Sequence, residues 1–289
     1  MSNWPRDNFG SEPIGIAPHA ALGHRSGVQR EHAKKPTTNR AALALTAIVL
    51  TGALAAPDAA AEPGLADEVE SPIVVAGAME LSVHAAELTG ADHKDWQTRA
   101  EASSAYLSWW RPGLAATWQR ENSDARLSGI AFENVFDFIP SRRWPVHFGA
   151  YAEYERNMAE GPDHIELKLL MQHVRGPVDL RFNIVTERET GDHSDNRWEF
   201  GYASQASYRV SPTLRLGVEG FGDTGFDDQL GDIDDYAHYW GPFARLRLTS
   251  VRDQQLSLQM GYLAGSGHAD ANSQLRLQLE WSFNEDDGD

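Results

Sequence analysis

The stretch LRLQLEWSF, residues 275–283, alternates without a break. Leu275, Leu277, Leu279, Trp281 and Phe283 take every odd position, and Arg276, Gln278, Glu280 and Ser282 take every even one. Side chains of a β-strand project to opposite faces in turn, so this segment has one wholly apolar face and one wholly polar face. Wound as a helix, the same residues would scatter around the circumference.

The rhythm recurs towards the N-terminus. Leu256, Leu258, Met260 and Tyr262 form one stripe, and Trp240, Ala244, Leu246 and Leu248 another. Further stripes are Leu214, Leu216, Val218; Trp198, Phe200, Tyr202; and Val178, Leu180, Phe182, Ile184. Ile165, Leu167, Leu169 and Met171 continue the series, although Leu170 breaks their polar side. Val146, Phe148, Ala150, Tyr154 and then Ile130, Phe132, Phe136, Phe138 complete nine clear strands. Stretches around residues 114–120, 96–110 and 75–84 fit less cleanly, for about twelve strands in all (10–14 as the range). Each clear strand has roughly the nine or more residues that a tilted strand needs to cross a bilayer core.

The connections carry their own pattern. Short turns at residues 140–145, Gly176-Pro177, Ser211-Pro212 and Arg252-Asp253 alternate with longer polar loops at 157–163, 190–196, 222–236 and 265–272. Membrane barrels have short periplasmic turns and longer external loops, which places both termini on the periplasmic side. Trp96, Trp118, Tyr154, Trp198 and Trp240 fall near external strand ends, and Trp110, Phe138, Trp144, Trp281 and Phe283 near periplasmic ends. Two aromatic girdles are expected where amphipathic rings sit at headgroup level. The fold expected is therefore all-β, an antiparallel transmembrane β-barrel. A soluble periplasmic β-barrel or sandwich, whose core also produces alternation, is the alternative.

The beginning of the chain reads as an address. Lys34, Lys35 and Arg40 precede the apolar run AALALTAIVLTGALAA, residues 41–56, and Ala59 and Ala61 follow in an A-x-A arrangement. Basic, apolar and small-residue segments in that order describe a secretory signal peptide, with maturation expected after about Ala61. The expected organisation is an N-terminal extension and signal peptide over residues 1–61 and a short periplasmic segment over 62–73. The barrel then spans 74–283, and an acidic tail covers 284–289.

Composition narrows the function classes. The chain has 289 residues and a formal net charge of −17; removing the six Lys/Arg and four Asp/Glu of residues 1–61 leaves 19 basic against 38 acidic residues. Such a balance repels phosphate backbones and argues against a nucleic-acid partner. There is no cysteine, which excludes disulfides, thiolate metal sites, catalytic thiols and a lipoprotein anchor. Outside the leader no apolar run reaches eighteen residues, so no transmembrane helix is expected.

The segments GIAFENVFDF, IELKLLMQHVRGPVDLRFNIVTERETG, YRVSPTLRLGVEGFGDTG, LQMGYLAGSG and LRLQLEWSF resemble an uncharacterised family of proteobacterial outer-membrane β-barrel proteins, over roughly residues 130–283. The resemblance implies fold and location in a Gram-negative outer membrane, and carries no assigned substrate or catalytic residue. Barrels of this kind commonly end at a terminal aromatic that the assembly machinery reads. Here Phe283 is followed by NEDDGD, a departure from that pattern.

The candidate lumen-facing residues are Arg181, Arg209, Arg215, Glu219, Arg245, Arg247, Arg276 and Glu280. Arg181, Arg209, Arg215, Arg245 and Arg247 fall in the periplasmic half, and Glu153, Glu155, Glu166, Glu187, Glu199 and Glu219 towards the external half. Two readings follow: a lumen filled by paired charges, or a water-filled pore with an acidic mouth and an arginine constriction. A porin-like or transport role for small solutes or ions is the functional expectation, without a cofactor. Its expected partners are outer-membrane lipid, lipopolysaccharide and the barrel-assembly machinery. Asp227, Asp228, Asp232, Asp234 and Asp235 cluster in one external loop and form a candidate Ca²⁺ site, although their spacing is not that of an EF-hand. The histidines show no H-E-x-x-H spacing. An outer-membrane hydrolase acting on lipid or ester is the alternative from another class. Ser207, Ser257 and Ser282 lie on polar faces and His147 is a candidate base, but no G-x-S-x-G motif is present.

Overall fold

The computed structural model describes residues 67–90, 96–121, 124–139, 144–159, 161–191, 194, 197–227, 229–230, 236–251, 254–267, 269 and 271–284. The expected signal peptide and cleavage region, and all but the first residue of the acidic tail, lie outside these residues. The strands are β1 (Met79–Thr89), β2 (Trp96–Ser104), β3 (Trp110–Glu121), β4 (Asp124–Asp137), β5 (Val146–Asn157), β6 (Asp163–Arg175) and β7 (Val178–Thr190). They continue with β8 (Trp198–Ser211), β9 (Leu214–Phe226), the two-residue β10 (Gln229–Leu230), β11 (Ala237–Val251), β12 (Gln254–Gly267) and β13 (Ser273–Phe283).

Twelve long strands pair antiparallel, each with its neighbour in sequence, while β10 only extends the hairpin after β9. The ring closes where β13 pairs β1, from Met79 opposite Phe283 to Thr89 opposite Ser273. Closure removes the free edges that would otherwise leave backbone N–H and C=O groups unpaired.

The outward face is the apolar one. Leu275, Leu277, Met260, Leu216, Val218, Ile184, Leu180, Leu167 and Phe132 are all exposed. The alternate positions Glu280, Ser257, Gln259, Glu219, Asn183, Asp179, Gln172, Lys168, Glu166 and Glu133 are buried. This arrangement inverts that of a water-soluble domain and suits a hydrocarbon surround, where an outward-facing charge costs ~2–4 kcal/mol at mid-depth. Among the described residues no helix is long and apolar enough to cross a membrane.

The three strands that the sequence shows least clearly are regular. Ala100 and Ala102 supply much of the outward face of β2, and on β3 alanines occupy both faces at Ala115 and Ala116. Small side chains weaken the hydropathy contrast without weakening the ladder.

The turns follow local chemistry. Gly176 has φ of 57° and Pro177 follows it, so a positive and then a fixed negative φ give the order of a type II′ hairpin turn between β6 and β7. The alternation of connection lengths has one exception on the long-loop side, because β3 and β4 are joined by only residues 122–123. β9 continues to Phe226 and β12 to Gly267, beyond their sequence stripes, shortening the loops expected from 222 and 265.

The described part of the segment expected outside the barrel does not lie outside it. Residues 67–75, without regular secondary structure, run inside the lumen. Asn183, fully buried on β7, accepts from the Glu70 N–H (2.8 Å) and donates to the Glu70 carbonyl (3.1 Å). Ser71 Oγ donates to Gln172 (2.6 Å), the Val74 N–H to Asp137 (3.4 Å), and Arg181 to the Val69 carbonyl (3.3 Å). Val74 packs with Ala105, Val135, Tyr151 and Leu170, so the leucine that interrupts the polar face of β6 is a contact for this inner segment. Gly149 on β5 makes room for it: a Cβ there would meet Pro72 at 2.7 Å and the Phe136 carbonyl at 2.4 Å.

Candidate functional site: the barrel lumen

The lumen has two unlike walls. On β2–β6, Arg99 reaches Glu101 (2.7 Å), Glu155 (3.2 Å), Glu133 and Glu153 at once. Thr117 donates to Glu155 (3.1 Å) and the Tyr151 hydroxyl to Glu153. Lys168 pairs with Glu166 (3.0 Å) and lies 4.9 Å from the centre of the Tyr151 ring. Beside them Arg111, on β3, bridges Glu80 (3.1 Å) and Glu70 of the inner segment (3.4 Å). A small space of about 10 Å³ lies among Glu101, Glu133, Arg111 and Tyr151.

The other wall, β7–β9 and β11–β13, supplies most of the lining of a cavity of about 620 Å³ between the barrel and the inner segment, which Arg111, His147 and Gln172 of β3, β5 and β6 also border. Arg181, Arg209, Arg215, Arg245, Arg247 and Arg276 all line it, as do Glu219 and Glu280. These eight residues border one and the same space. Arg245 pairs with Glu280 (2.7 Å), Arg181 with Asp179 (3.3 Å) and Arg276 with Glu219 (3.7 Å). Arg276 also lies 4.2 Å from the centre of the Phe221 ring.

The cavity reaches the turn at Ser211, Pro212 and Thr213, on the end of the barrel where β1 begins and β13 finishes. Towards the opposite end an apolar cluster of Ala86, Leu88, Tyr239, Leu263 and Ala271 fills the interior. Ala271 belongs to the connection between β12 and β13, and its N–H donates to the Tyr239 hydroxyl (3.4 Å).

These positions change the expected charge gradient. Glu153, Glu155 and Glu166 gather on the wall around Arg99 and Lys168, across the lumen from the arginines. Segregation around the circumference accompanies any segregation along the axis, because strand order sets the former and register the latter. The inner segment was invisible to pattern reading. Its hydrogen-bond partners Gln172 and Asn183 lie 101 and 113 residues away, and an extended segment without an apolar stripe leaves no periodic trace.

Of the five aspartates in the candidate calcium loop, Asp228, Asp232, Asp234 and Asp235 lie outside the described residues, and Asp227 is exposed. Among the described residues no group of three or more His, Asp or Glu is placed to hold a metal ion. His84 meets Ser82 (3.0 Å) and Glu68 (3.3 Å), His164 meets Glu187 (2.7 Å), and His238 meets Tyr202 (3.1 Å). Ser207 donates to the Asp179 carbonyl (3.5 Å) and accepts from Arg215 (3.0 Å), contacts with no base among them.

No family model matches the chain, and no curated protein does. Among solved structures, an outer membrane channel from Pseudomonas putida F1 superposes with a TM-score of 0.53 at 14% identity, over 77% of this chain and 98% of that one. The KdgM porin (TM-score 0.49, 8% identity, 72% and 99% covered) and the NanC porin (0.48, 11%, 70% and 98%) are also found. At such identities the first of these likenesses speaks for the fold alone. The chain is a closed 12-stranded β-barrel that resembles outer-membrane channel folds.

Proposed function

We propose that this protein is an exported Gram-negative outer-membrane channel with a porin-like role for small solutes or ions. The observation that carries the reading is the conjunction of an apolar exterior with a charged interior that retains a cavity of about 620 Å³. An apolar outer belt calls for lipid, the leader-like residues 1–61 would supply export, and a hydrated, charge-lined space is what a selective pore uses. Lipid, lipopolysaccharide and the barrel-assembly machinery are the partners that such a location implies. The inner segment and the apolar cluster narrow the route, so the channel is of the restricted kind rather than wide and open.

Two measurements test this together. In cell fractionation the protein is expected in the outer membrane, as a band whose electrophoretic mobility changes on boiling. Reconstituted into planar bilayers, the full chain is expected to give stepwise ionic currents. Recovery in the soluble periplasmic fraction, or a folded barrel that passes no current, would overturn the proposal.

A further inference from the structure

The arginine wall contains an arrangement that barrel stability does not call for. Arg209 on β8 stands directly opposite Arg215 on β9, and Arg215 directly opposite Arg245 on β11. All three face inward, since their chain neighbours Tyr208, Val210, Leu216 and Leu246 are exposed on the outer surface. Adjacent strands are about 4.8 Å apart, and like charges directly opposite one another destabilise a sheet. The row concentrates guanidinium groups along one side of the cavity; Arg245 is paired with Glu280 (2.7 Å) and Arg215 lies 4.0 Å from Asp179, and an anion lying along the row would add to these partners.

We infer that the cavity is a binding site for a small solute carrying two or three carboxylate or phosphate groups, held across Arg209, Arg215 and Arg245. This inference rests on the channel reading for its role in transport. Arg111, Arg181, Arg247 and Arg276 line the same space, so seven arginines face it against the five carboxylates Glu68, Glu80, Asp179, Glu219 and Glu280. Guanidinium forks match carboxylate and phosphate oxygens in pairs, which makes arginine the suited residue for such a ligand. Several are held in place before any ligand arrives: Arg215 by Ser207 (3.0 Å), Arg245 by Glu280 (2.7 Å), Arg181 by Asp179 (3.3 Å) and Arg276 against the Phe221 ring (4.2 Å). The volume falls within the roughly 300–1,000 Å³ typical of small-molecule sites.

The lumen also displays the chemistry in cis. The inner segment is acidic, and the barrel holds its carboxylates and carbonyls with cationic and amide donors. Glu68 accepts from Gln278 (2.8 Å), Glu70 from Arg111 (3.4 Å), and the Val69 carbonyl from Arg181 (3.3 Å). The opposite wall shows what a structural solution looks like, with four carboxylates closed around Arg99.

The test is calorimetric titration of the folded full chain in detergent at low salt, with citrate as the probe and glycerol as the neutral control. Citrate is expected to bind saturably and more weakly as ionic strength rises, while glycerol gives no saturable heat. The pair Arg215→Gln/Arg245→Gln is expected to weaken citrate at least tenfold, each charged contact contributing about one such factor. The pair Arg215→Lys/Arg245→Lys should retain most of the affinity. Boiling-sensitive mobility establishes that each variant is folded; should the glutamine pair not fold, Arg209→Gln is read in its place. Absence of saturable citrate binding, or equal binding by the folded glutamine variant, would overturn the inference. Ionic current without citrate binding sinks the site and leaves the channel, whereas citrate binding without current does the reverse.

Discussion

The walls of the lumen are built from the same alternating strands and the same residue types, yet they solve the problem of buried charge in opposite ways. On β2–β6, Glu101, Glu133, Glu153 and Glu155 converge on Arg99, and Glu166 on Lys168. On β7–β13 arginines outnumber the carboxylates of the wall and border a cavity. Taking a charge out of water costs several kcal/mol unless partners replace the solvent. The first wall supplies those partners from its own strands. The second leaves room for water and solute, and the difference separates a wall that holds the barrel together from one available for transport.

The largest effect is expected where the packed wall loses its hub. Arg99→Met leaves four carboxylates facing one another without their cation, and breaking a buried pair costs roughly 3–5 kcal/mol. Urea unfolding of the barrel in lipid vesicles checks this; a change under about 1 kcal/mol would mean that the network is solvated and the two walls are not so different.

A smaller loss is expected at the seam between barrel and inner segment. Leu170→Ala removes the side chain that meets Val74, and large-to-small changes at buried leucines cost ~2–5 kcal/mol. Hydrogen exchange should report the loss chiefly over residues 69–75 and the neighbouring part of β6. Uniform loosening of all strands would contradict the placement.

Next comes Asn183→Ala, which strips both hydrogen bonds from the Glu70 backbone and leaves those groups unpaired, at ~1–3 kcal/mol. Faster proteolysis or exchange at residues 67–75 with an unchanged barrel unfolding midpoint is the expected result.

The smallest effect on stability is expected on the open wall. Arg209→Gln relieves a like-charge neighbour in the cross-strand row, so stability should stay the same or rise by up to ~1 kcal/mol. A loss comparable to that of Arg99→Met would show that the arginine row is structural and would erase the contrast between the walls.

How much of this was legible in the sequence follows from the physics of each element. The terminal segment, residues 275–283, has large apolar and polar side chains in strict turn, and its strand, face and direction could be read directly. The polar face of each clear strand was legible for the same reason, since alternation fixes the face. Strands β2 and β3 were blurred by alanine, whose hydropathy marks neither side. Leu170 looked like an error in the pattern because its partner, Val74, belongs to a segment remote in sequence. The distribution of charge around the lumen was hidden for a related reason. Which inward residues share a wall depends on strand order, and how high each sits depends on register shifts such as that between Arg209 and Ser211.

The reversal potential in planar bilayers, measured under a salt gradient, compares the walls most directly. If the arginine wall borders the conducting route, Arg245→Glu/Arg247→Glu shifts the potential towards cation preference. Glu153→Gln/Glu155→Gln, on the packed wall, leaves it nearly unchanged. Equal shifts from the two pairs, or none from the arginine pair in a conducting barrel, would contradict the assignment of transport to that side of the lumen.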